Sequence, residues 1–273
     1  MKKTIKIILA VLAVFCAVNI IISCKWLYTR RFTAVSESLP HGFEGFRIVQ
    51  VSDLHNARFG KGNSALLETV KSEDPDIIAI TGDLIDDKTK DYEALETFLK
   101  ALSDIAPCYY VTGNHEAEVY KEYFAFEKRI RSYIKCLHTA SVKIERDGET
   151  ILIQGIDDPN FTPIFLDDLE KLGGARGYKI LLCHRPEKFS LYVENGFDLV
   201  LTGHTHGGQI RLPFIGAVVA PSQGFFPKYD AGEFSEGKTE MIISRGLGSS
   251  VLPIRFFNRP EIVTVELSAS RGD

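Results

Sequence analysis

Residues 199–208 of the chain read Leu199-Val200-Leu201-Thr202-Gly203-His204-Thr205-His206-Gly207-Gly208, an apolar run that ends in two histidines framed by glycines. A short continuous apolar run is the pattern of a strand that is buried on both faces. The two imidazoles lie two positions apart and share one face, and glycine permits a ligand to approach the backbone closely. The pattern predicts a metal-binding loop at the end of a buried strand.

Four further polar motifs precede this loop, and most of them close an apolar run in the same way. Together the five motifs hold five of the seven histidines of the chain. Aspartate, asparagine and histidine are ligands for divalent metal ions of hard or borderline character. Five such motifs in order therefore predict a binuclear metal centre. The four motifs are Asp53-Leu54-His55, Gly82-Asp83, Gly113-Asn114-His115-Glu116 and Cys183-His184.

Each of these four motifs has a plainer interpretation when it is taken alone. Asp53 and His55 can converge on one ion if they continue a strand, because side chains at i and i+2 point the same way, but the pair also fits a surface turn. Asp83 would lie at the carboxyl end of a strand, where α/β sheets bind ligands, or would cap a turn. Asn114 also fits the N-cap of a following helix, and both roles are compatible. A single histidine such as His184 is usually a satisfied polar group.

Strand and helix patterns alternate in the first half of the chain, whereas strands dominate the second half. This order predicts an α/β fold of two sheets that face each other, with helices outside. Predicted strands cover residues 47–51, 76–80, 109–111, 142–145, 151–153, 179–182, 199–201, 241–243 and 262–265. Predicted helices cover residues 62–72, 92–102, 119–134, 165–172 and 186–195. We expect one domain over residues 46–270, preceded by a linker or edge segment over residues 26–45.

The first 25 residues form a separate segment, with a basic start and an uncharged run from Ile7 to Ile22. The run is slightly short for the roughly 20 residues that span a bilayer and slightly long for a cleaved signal core. We expect an uncleaved signal anchor, which implies a membrane partner. The alternatives are a cleaved precursor or a lipoprotein at Cys24, whose surroundings loosely resemble a lipobox, and a buried core helix.

The charges that flank this segment do not decide its orientation, because basic residues balance on its two sides. A short charged tail is costly to translocate. We therefore expect the N-terminus inside and the catalytic domain on the extracytoplasmic side of the membrane.

The composition of the chain limits other function classes. A net charge of −4 over 273 residues gives no basic patch for nucleic acid. Five cysteines at irregular spacing do not make a disulfide framework, and Cys108 and Cys183 flank apolar runs as small core residues do. The oligomeric state has no signature in the sequence.

The five motifs, in this order over residues 47–210, resemble the calcineurin-like metallophosphoesterase superfamily, whose pattern is D-x-H, GD, GNH[DE], a lone H and GHxH. Residues 203–210, 245–248 and 253–255 resemble its bacterial membrane-associated phosphodiesterase-type branch. The resemblance implies a four-layer α/β/β/α sandwich of two mixed β-sheets flanked by helices. Glu116 stands where many relatives have Asp. This difference affects a contact that supports the ligands and not a ligand itself.

The resemblance also implies a role for each motif residue. Two divalent metal ions would be bound, Mn, Fe or Zn, and Asp83 would bridge them. His115 would protonate the leaving oxygen or steady the phosphoryl group. The first ion would be held by Asp53, His55 and His206, and the second by Asn114, His184 and His204.

The implied reaction is hydrolysis of a phosphodiester, or of a monoester, by in-line attack of a hydroxide that bridges the two ions. Arg58 and Arg185 lie close in sequence to ligands and either contact phosphate or are ordinary surface arginines. A lipid pyrophosphatase of the UDP-diacylglucosamine type is the second interpretation, although its best-known branch has Arg at the position of His115. Residues 225–227 and 254–257 would line a lipid groove in that case, or belong to the core or its rim. A non-catalytic metal-binding envelope protein is the third interpretation.

Overall fold

Two six-stranded sheets face each other in the structure, and helices cover their outer surfaces. The computed structural model describes residues 2–249 and 254–270. Met1 of the expected anchor and residues 250–253 of the expected domain, which include Pro253 of the 253–255 motif, lie outside the described residues.

The strands and helices are numbered in chain order. The strands are β1 (Tyr28–Val35), β2 (Arg47–Val51), β3 (Ile77–Thr81), β4 (Cys108–Val111), β5 (Ile134–Cys136), β6 (Ala140–Arg146), β7 (Glu149–Gly155), β8 (Tyr178–Leu182), β9 (Leu199–Thr202), β10 (Arg211–Leu212), β11 (Gly216–Ala217), β12 (Val219–Ala220), β13 (Gly224–Phe225), β14 (Gly232–Glu236), β15 (Thr239–Ile243) and β16 (Glu261–Ser268). The helices are α1 (Lys2–Lys25), α2 (Ser64–Ser72), α3 (Tyr92–Ser103), α4 (Asn114–Glu118), α5 (Tyr120–Ile130), α6 (Phe165–Gly173) and α7 (Phe189–Glu194).

Both large sheets are mixed. The first has the order β1-β16-β2-β3-β4-β5, with β2 to β5 parallel and β16 antiparallel to β2. The second has the order β14-β15-β9-β8-β7-β6, with antiparallel strands only at its two edges. The predicted fold class, two mixed sheets flanked by helices, is confirmed.

Three apolar layers hold these elements together. The central layer lies between the sheets and includes Ile48, Ile180 and Leu201. Helices α2, α3 and α5 pack outside the first sheet, and α6 and α7 pack outside the second. Helix α3 shows how the sequence dictates this packing, because its leucines and phenylalanine recur every three or four residues and form one buried face.

The helix predicted over residues 119–134 is shorter in the structure. Helix α5 ends at Ile130, and Ile134 begins the edge strand β5, which pairs with β4 in parallel. Ile130 and Ile134 are four residues apart, which also fits a helix. Pairing with β4 overrides that local pattern, because it satisfies backbone groups that a longer helix would leave at the edge of the sheet.

The segment after the N-terminal helix is an edge strand and not a free linker over its first part. Strand β1 pairs with β16 in parallel over all eight of its residues. Helix α1 itself is the one helix in the described ranges that is long and apolar enough to cross a membrane. Its first two thirds are exposed to the surroundings of the domain, so it is not a buried core helix.

Candidate metal centre

Five strands end at the same place in the molecule, and each of them is followed by motif residues. Strands β2, β3 and β4 of the first sheet lead to Asp53 and His55, to Asp83, and to Asn114 and His115. Strands β8 and β9 of the second sheet lead to His184 and to His204 and His206. The backbone N–H of His204 donates to Asp53 Oδ1 at 3.0 Å, so loops of the two sheets meet at this point.

Five of the Asp and His residues in the motifs have a left-handed backbone conformation. The φ angles are +52° at Asp53, +42° at His55, +53° at Asp83, +70° at His204 and +49° at His206. Asp53 and His55 do come together, but not because they continue a strand, which was the expected reason. Strand β2 ends at Val51, and a left-handed turn directs both side chains to the centre. Such conformations are uncommon outside glycine and cluster at functional sites.

The structure gathers these side chains into two buried groups. One consists of Asp53, His55, Asp83 and His206, and the other of Asp83, His184 and His204. Within each group the atoms that could bind a metal lie within 4.8 Å of one another. Asp83 belongs to both groups, and its Oδ2 lies 3.4 Å from His55 Nε2 and 3.1 Å from His184 Nε2.

The contact between His184 and Asp83 requires a cation or a proton. His184 Nδ1 lies 2.8 Å from the carbonyl oxygen of Thr81, which can only accept, so Nδ1 carries hydrogen. A neutral ring then presents the lone pair of Nε2 to a carboxylate oxygen at 3.1 Å. Burial alone would lower the pKa of His184, but the Asp83 carboxylate outweighs burial and raises it to about 10. A divalent ion bound between the two groups would replace that proton.

Other buried atoms at the centre also fit the role of metal ligands. His206 Nδ1 and Asn114 Oδ1 have no hydrogen-bond partner among the described residues. Burial, together with the positive charge of neighbouring groups, holds the pKa values of His204 and His206 well below the usual value. Both rings are therefore neutral, which is the form that binds metal. The donor set of carboxylate, imidazole and amide oxygen suits Mn, Fe or Zn.

A hydrogen-bonded shell holds the two carboxylates in place. Asp53 accepts from Ser52 Oγ at 2.5 Å, and Asp83 Oδ1 accepts from the N–H of His115 at 3.0 Å. Glu116 is fully buried and accepts from the N–H groups of Asp83, Leu84, Ile85 and Gly113. Glu116 thus clamps the Asp83 turn to the start of α4. These contacts orient the candidate ligands.

Glycine is required where two of these loops touch. A Cβ atom on Gly113 would collide with Asp83 Oδ1 and would lie 2.7 Å from the Asp83 backbone nitrogen. The Asp83 carboxylate can keep its position only because residue 113 has no side chain.

We expect Gly113→Ala to displace Asp83, to lower metal content and to destabilise the protein by about 1–3 kcal/mol, the usual range for overpacking. Metal analysis and urea unfolding in detergent measure both effects. Gly174→Ala is the matched control, because a Cβ there meets only ordinary contacts at 3.6 Å. Retention of wild-type metal content by Gly113→Ala would contradict the predicted role of this contact.

His115 lies beside the two groups and is only partly buried. Its ring meets the His55 ring edge-on, with centroids 4.8 Å apart. Its Nδ1 lies 3.0 Å from Glu118 Oε2. Glu118 therefore places a negative charge beside the ring of His115.

The two arginines predicted to contact phosphate lie in different environments. Arg58 is 67% exposed in its side chain and binds Asp91 at 2.9 Å. Arg185 is buried and binds both oxygens of Asp158, while its Nη1 lies 2.9 Å from His204 Nε2. Arg185 is therefore part of the centre's wall, and phosphate contact by either arginine stays a prediction.

Several residues of this wall are not among those predicted from the sequence. Asp86 Oδ2 lies 3.4 Å from His55 Nδ1, and Asn258 Nδ2 donates to the carbonyl oxygen of His206 at 2.6 Å. Asp158 anchors Arg185. Asp86 follows Asp83 by three residues, which is a readable signal, whereas Asp158 and Asn258 belong to no motif.

His138, which no motif includes, closes an ionic cluster next to Asp158. Its Nδ1 lies 3.0 Å from Asp157 Oδ2, and its Nε2 lies 3.1 Å from Glu127 Oε1. The hydrogen bond to Asp157 raises the pKa of His138 to about 9 against the opposing effect of burial. The protonated ring therefore links Asp157, in the loop after β7, to Glu127 on α5.

We expect this cluster to stabilise the protein fully below pH 6.5 and to lose that contribution as the pH rises through about 9, because the raised pKa belongs to the folded state. His138→Gln should cost about 1 kcal/mol at pH 6, a value kept small because a third of the ring is exposed. Urea unfolding in detergent at pH 6 and pH 9.5 measures the difference, with His41→Gln as the exposed control. An equal loss of unfolding free energy at both pH values would contradict the role of the protonated His138 ring.

An α/β/β/α sandwich that gathers buried Asp and His groups at one edge of its sheets has the architecture of a metal-dependent hydrolase. A family model described as calcineurin-like phosphoesterase matches residues 46–208 of the chain. This match covers more than half of the chain, and the chain belongs to that family.

Known relatives extend the match beyond the family model. The chain is 33% identical over 252 residues to the uncharacterized metallophosphoesterase YkuE of Bacillus subtilis, covering 89% of this chain and 86% of that protein. It is 29% identical over 237 residues to the phosphodiesterase YaeI of Escherichia coli, covering 81% and 82%. The sulfate thiohydrolase SoxB of Thermus thermophilus shares the fold at a TM-score of 0.52 and 12% identity, covering 85% of this chain and 58% of that one.

Proposed function

We propose that this protein is a metal-dependent phosphoesterase that hydrolyses phosphodiesters, and monoesters as a further substrate class, at a binuclear centre. One observation carries the proposal: Asp83 belongs to both groups of candidate ligands, as a carboxylate that bridges two ions must. The relative YaeI, which is named a phosphodiesterase, favours diesters.

The proposed ligand sets follow the two groups. Asp53, His55 and His206 would hold the first ion together with Asp83. Asn114, His184 and His204 would hold the second, and the unpartnered Oδ1 of Asn114 supports its inclusion. When bound, two divalent ions lower the pKa of a shared water and stabilise the charge that develops on the phosphoryl oxygens.

The chain's own side chains supply the remaining chemistry. His115 donates a proton to the leaving oxygen, and Glu118 keeps the ring oriented. Arg185, held rigidly by Asp158, keeps His204 in position and presents positive charge to the phosphoryl group. A non-catalytic metal-binding protein is less well supported, because both ligand sets and His115 are complete.

The proposal for the whole chain includes its location. Residues 1–25 form a membrane anchor and residues 46–270 the catalytic domain, which lies on the extracytoplasmic side. The length and hydropathy of α1 support the anchor. A reporter fused after Asp273 tests the side, and a cytoplasmic signal would overturn it.

Removal and return of metal test the activity. We expect the full chain in detergent to lose hydrolysis of bis(p-nitrophenyl) phosphate after chelation and to regain it with Mn²⁺, at two ions per chain. Mg²⁺ alone, an ion that prefers oxygen ligands, is the control and should restore less activity. Absence of activity with Mn²⁺, Fe²⁺ and Zn²⁺ in a chain that binds two ions would overturn the enzymatic proposal.

A further inference from the structure

A stretch of sixteen residues without charge follows the candidate ligand loop. Residues 212–227 read LPFIGAVVAPSQGFFP, in a chain in which 25% of residues are charged. We call these residues the apolar lobe. They form the hairpins β10–β11 and β12–β13 and not a buried core, since Phe214 is fully exposed and Phe225 and Phe226 are 77% and 69% exposed. Exposed apolar surface of this kind marks a contact with a partner or a membrane.

Backbone hydrogen bonds join a second segment that carries apolar side chains, residues 254–258, to the residues immediately before the apolar lobe. The N–H of Arg211 donates to the carbonyl oxygen of Phe256 at 2.9 Å, and that of Phe256 donates to the carbonyl oxygen of Gln209 at 3.0 Å. Val218 of the lobe donates in turn to the carbonyl oxygen of Ile210 at 3.2 Å. Ile254 and Phe257 of this segment are 42% and 38% exposed. The two pieces therefore form one continuous surface.

Helix α1 binds this surface through its second half. Asn19 Oδ1 accepts from the N–H of Phe257 at 2.8 Å, and Ser23 Oγ accepts from that of Asn258 at 3.4 Å. The Phe15 ring packs against the Phe257 ring, with centroids 6.0 Å apart. The anchor and the apolar surface thus have a fixed relation.

The length of α1 determines how deep in a bilayer that surface would lie if α1 crosses the membrane. The uncharged stretch between Lys6 and Lys25 has eighteen residues, or about 27 Å of helix, which is hardly enough for a hydrocarbon core of about 30 Å. All of it must lie in hydrocarbon if α1 crosses the bilayer. Asn19 precedes Lys25 by six residues, so the amide of Phe257 lies about 9 Å below the level of Lys25.

Aromatic and basic residues mark the level of the lipid head groups just above this point. Trp26 is 61% exposed and Tyr28 44% exposed, as expected for residues at a membrane interface. Arg259 donates to the carbonyl oxygen of Trp26 at 2.9 Å. Arg211 and Lys228 flank the apolar lobe on its two sides.

We infer that the apolar lobe and residues 254–258 are inserted in the outer part of the bilayer that α1 crosses, and that they hold the candidate metal centre at head-group level. His206 lies six residues before the lobe, and Asn258 links its carbonyl oxygen to the segment bound by α1. The substrate would then be a phosphoester carried by a lipid or another amphiphile. This assignment of a substrate class rests on the proposed function.

Tryptophan fluorescence in the full chain tests the insertion. Trp26 is the single tryptophan, so Trp26→Phe gives a silent background. In phosphatidylcholine vesicles with brominated acyl chains, we expect Phe214→Trp and Phe226→Trp to be quenched at least twofold more than Leu166→Trp. Leu166 is the control because it is 61% exposed on α6, outside the lobe.

Two results would overturn the inference. Equal quenching at the three positions, with equal access to acrylamide, would place the lobe in water. Protection from acrylamide without quenching by brominated lipid would show that a second copy or another protein covers the lobe. Neither result depends on hydrolysis, so failure of the insertion differs from failure of the proposed function.

A paired substrate assay tests the consequence for specificity. Phe225→Ser with Phe226→Ser should reduce hydrolysis of a hexadecyl aryl phosphodiester in vesicles at least tenfold, and that of bis(p-nitrophenyl) phosphate by less than twofold. Equal effects on both substrates would overturn the head-group assignment. Failure of the wild-type chain to hydrolyse either one would count against the proposed function alone.

Discussion

Asp83→Asn is expected to lower turnover by about a thousandfold or more, because loss of a shared ligand weakens the binding of both ions, whose charge would stabilise the phosphoryl transition state. The substitution keeps the shape of the side chain but removes the charge that both ligand groups share. A neutral amide presents one oxygen without negative charge and one NH2 group that only donates, so it binds two cations far more weakly than a carboxylate does. Metal analysis should give fewer than two ions per chain.

Asp87→Asn is the matched control for this substitution. It makes the same chemical change four residues along the chain, at an exposed position. Wild-type metal content and activity are expected. If Asp83→Asn also kept two ions and more than a tenth of the activity, a bridging role for Asp83 would be excluded.

His115→Ala should separate binding from chemistry. We expect two ions per chain to remain, because the centre keeps all seven candidate ligands, while turnover falls by about a hundredfold to ten-thousandfold, the range for a positioned acid. The loss should be larger for an alkyl leaving group than for p-nitrophenolate, which needs little protonation. Rates with a series of leaving groups measure this difference.

His41→Ala controls for the loss of a histidine, since His41 is exposed and remote in sequence from every motif. An equal loss for good and poor leaving groups would leave His115 with a role in steadying the phosphoryl group. Loss of metal in His115→Ala would show instead that the residue belongs to the ligand shell.

Most of the fold could be predicted because the apolar runs are buried on both faces. Strand β2 has the predicted bounds, and β3 differs by one residue at each end, since continuous β-branched sequence between helices has few alternatives. The predictions failed where pairing with a distant strand decides the structure. Strand β5 shares its spacing with a helix, and β1 is defined by β16, more than two hundred residues away.

The candidate site was predictable for a different reason. The residue types and their order predict which side chains come together, whereas the geometry that brings them together depends on loops. The left-handed turns at Asp53 and His55 have no sequence signature comparable to that of a helix cap. The buried wall of Arg185, Asp158 and Asn258 comes from segments that meet only in the folded chain.

The left-handed turns also determine how far this scaffold can be made more robust. Each holds an Asp or His in a backbone conformation that costs about 1 kcal/mol or more relative to glycine. A stabilising library would therefore recover glycine or asparagine at these positions first, and every such gain would remove a candidate ligand. At these five buried positions, Asp53, His55, Asp83, His204 and His206, a gain in thermostability would therefore be expected to cost the proposed activity.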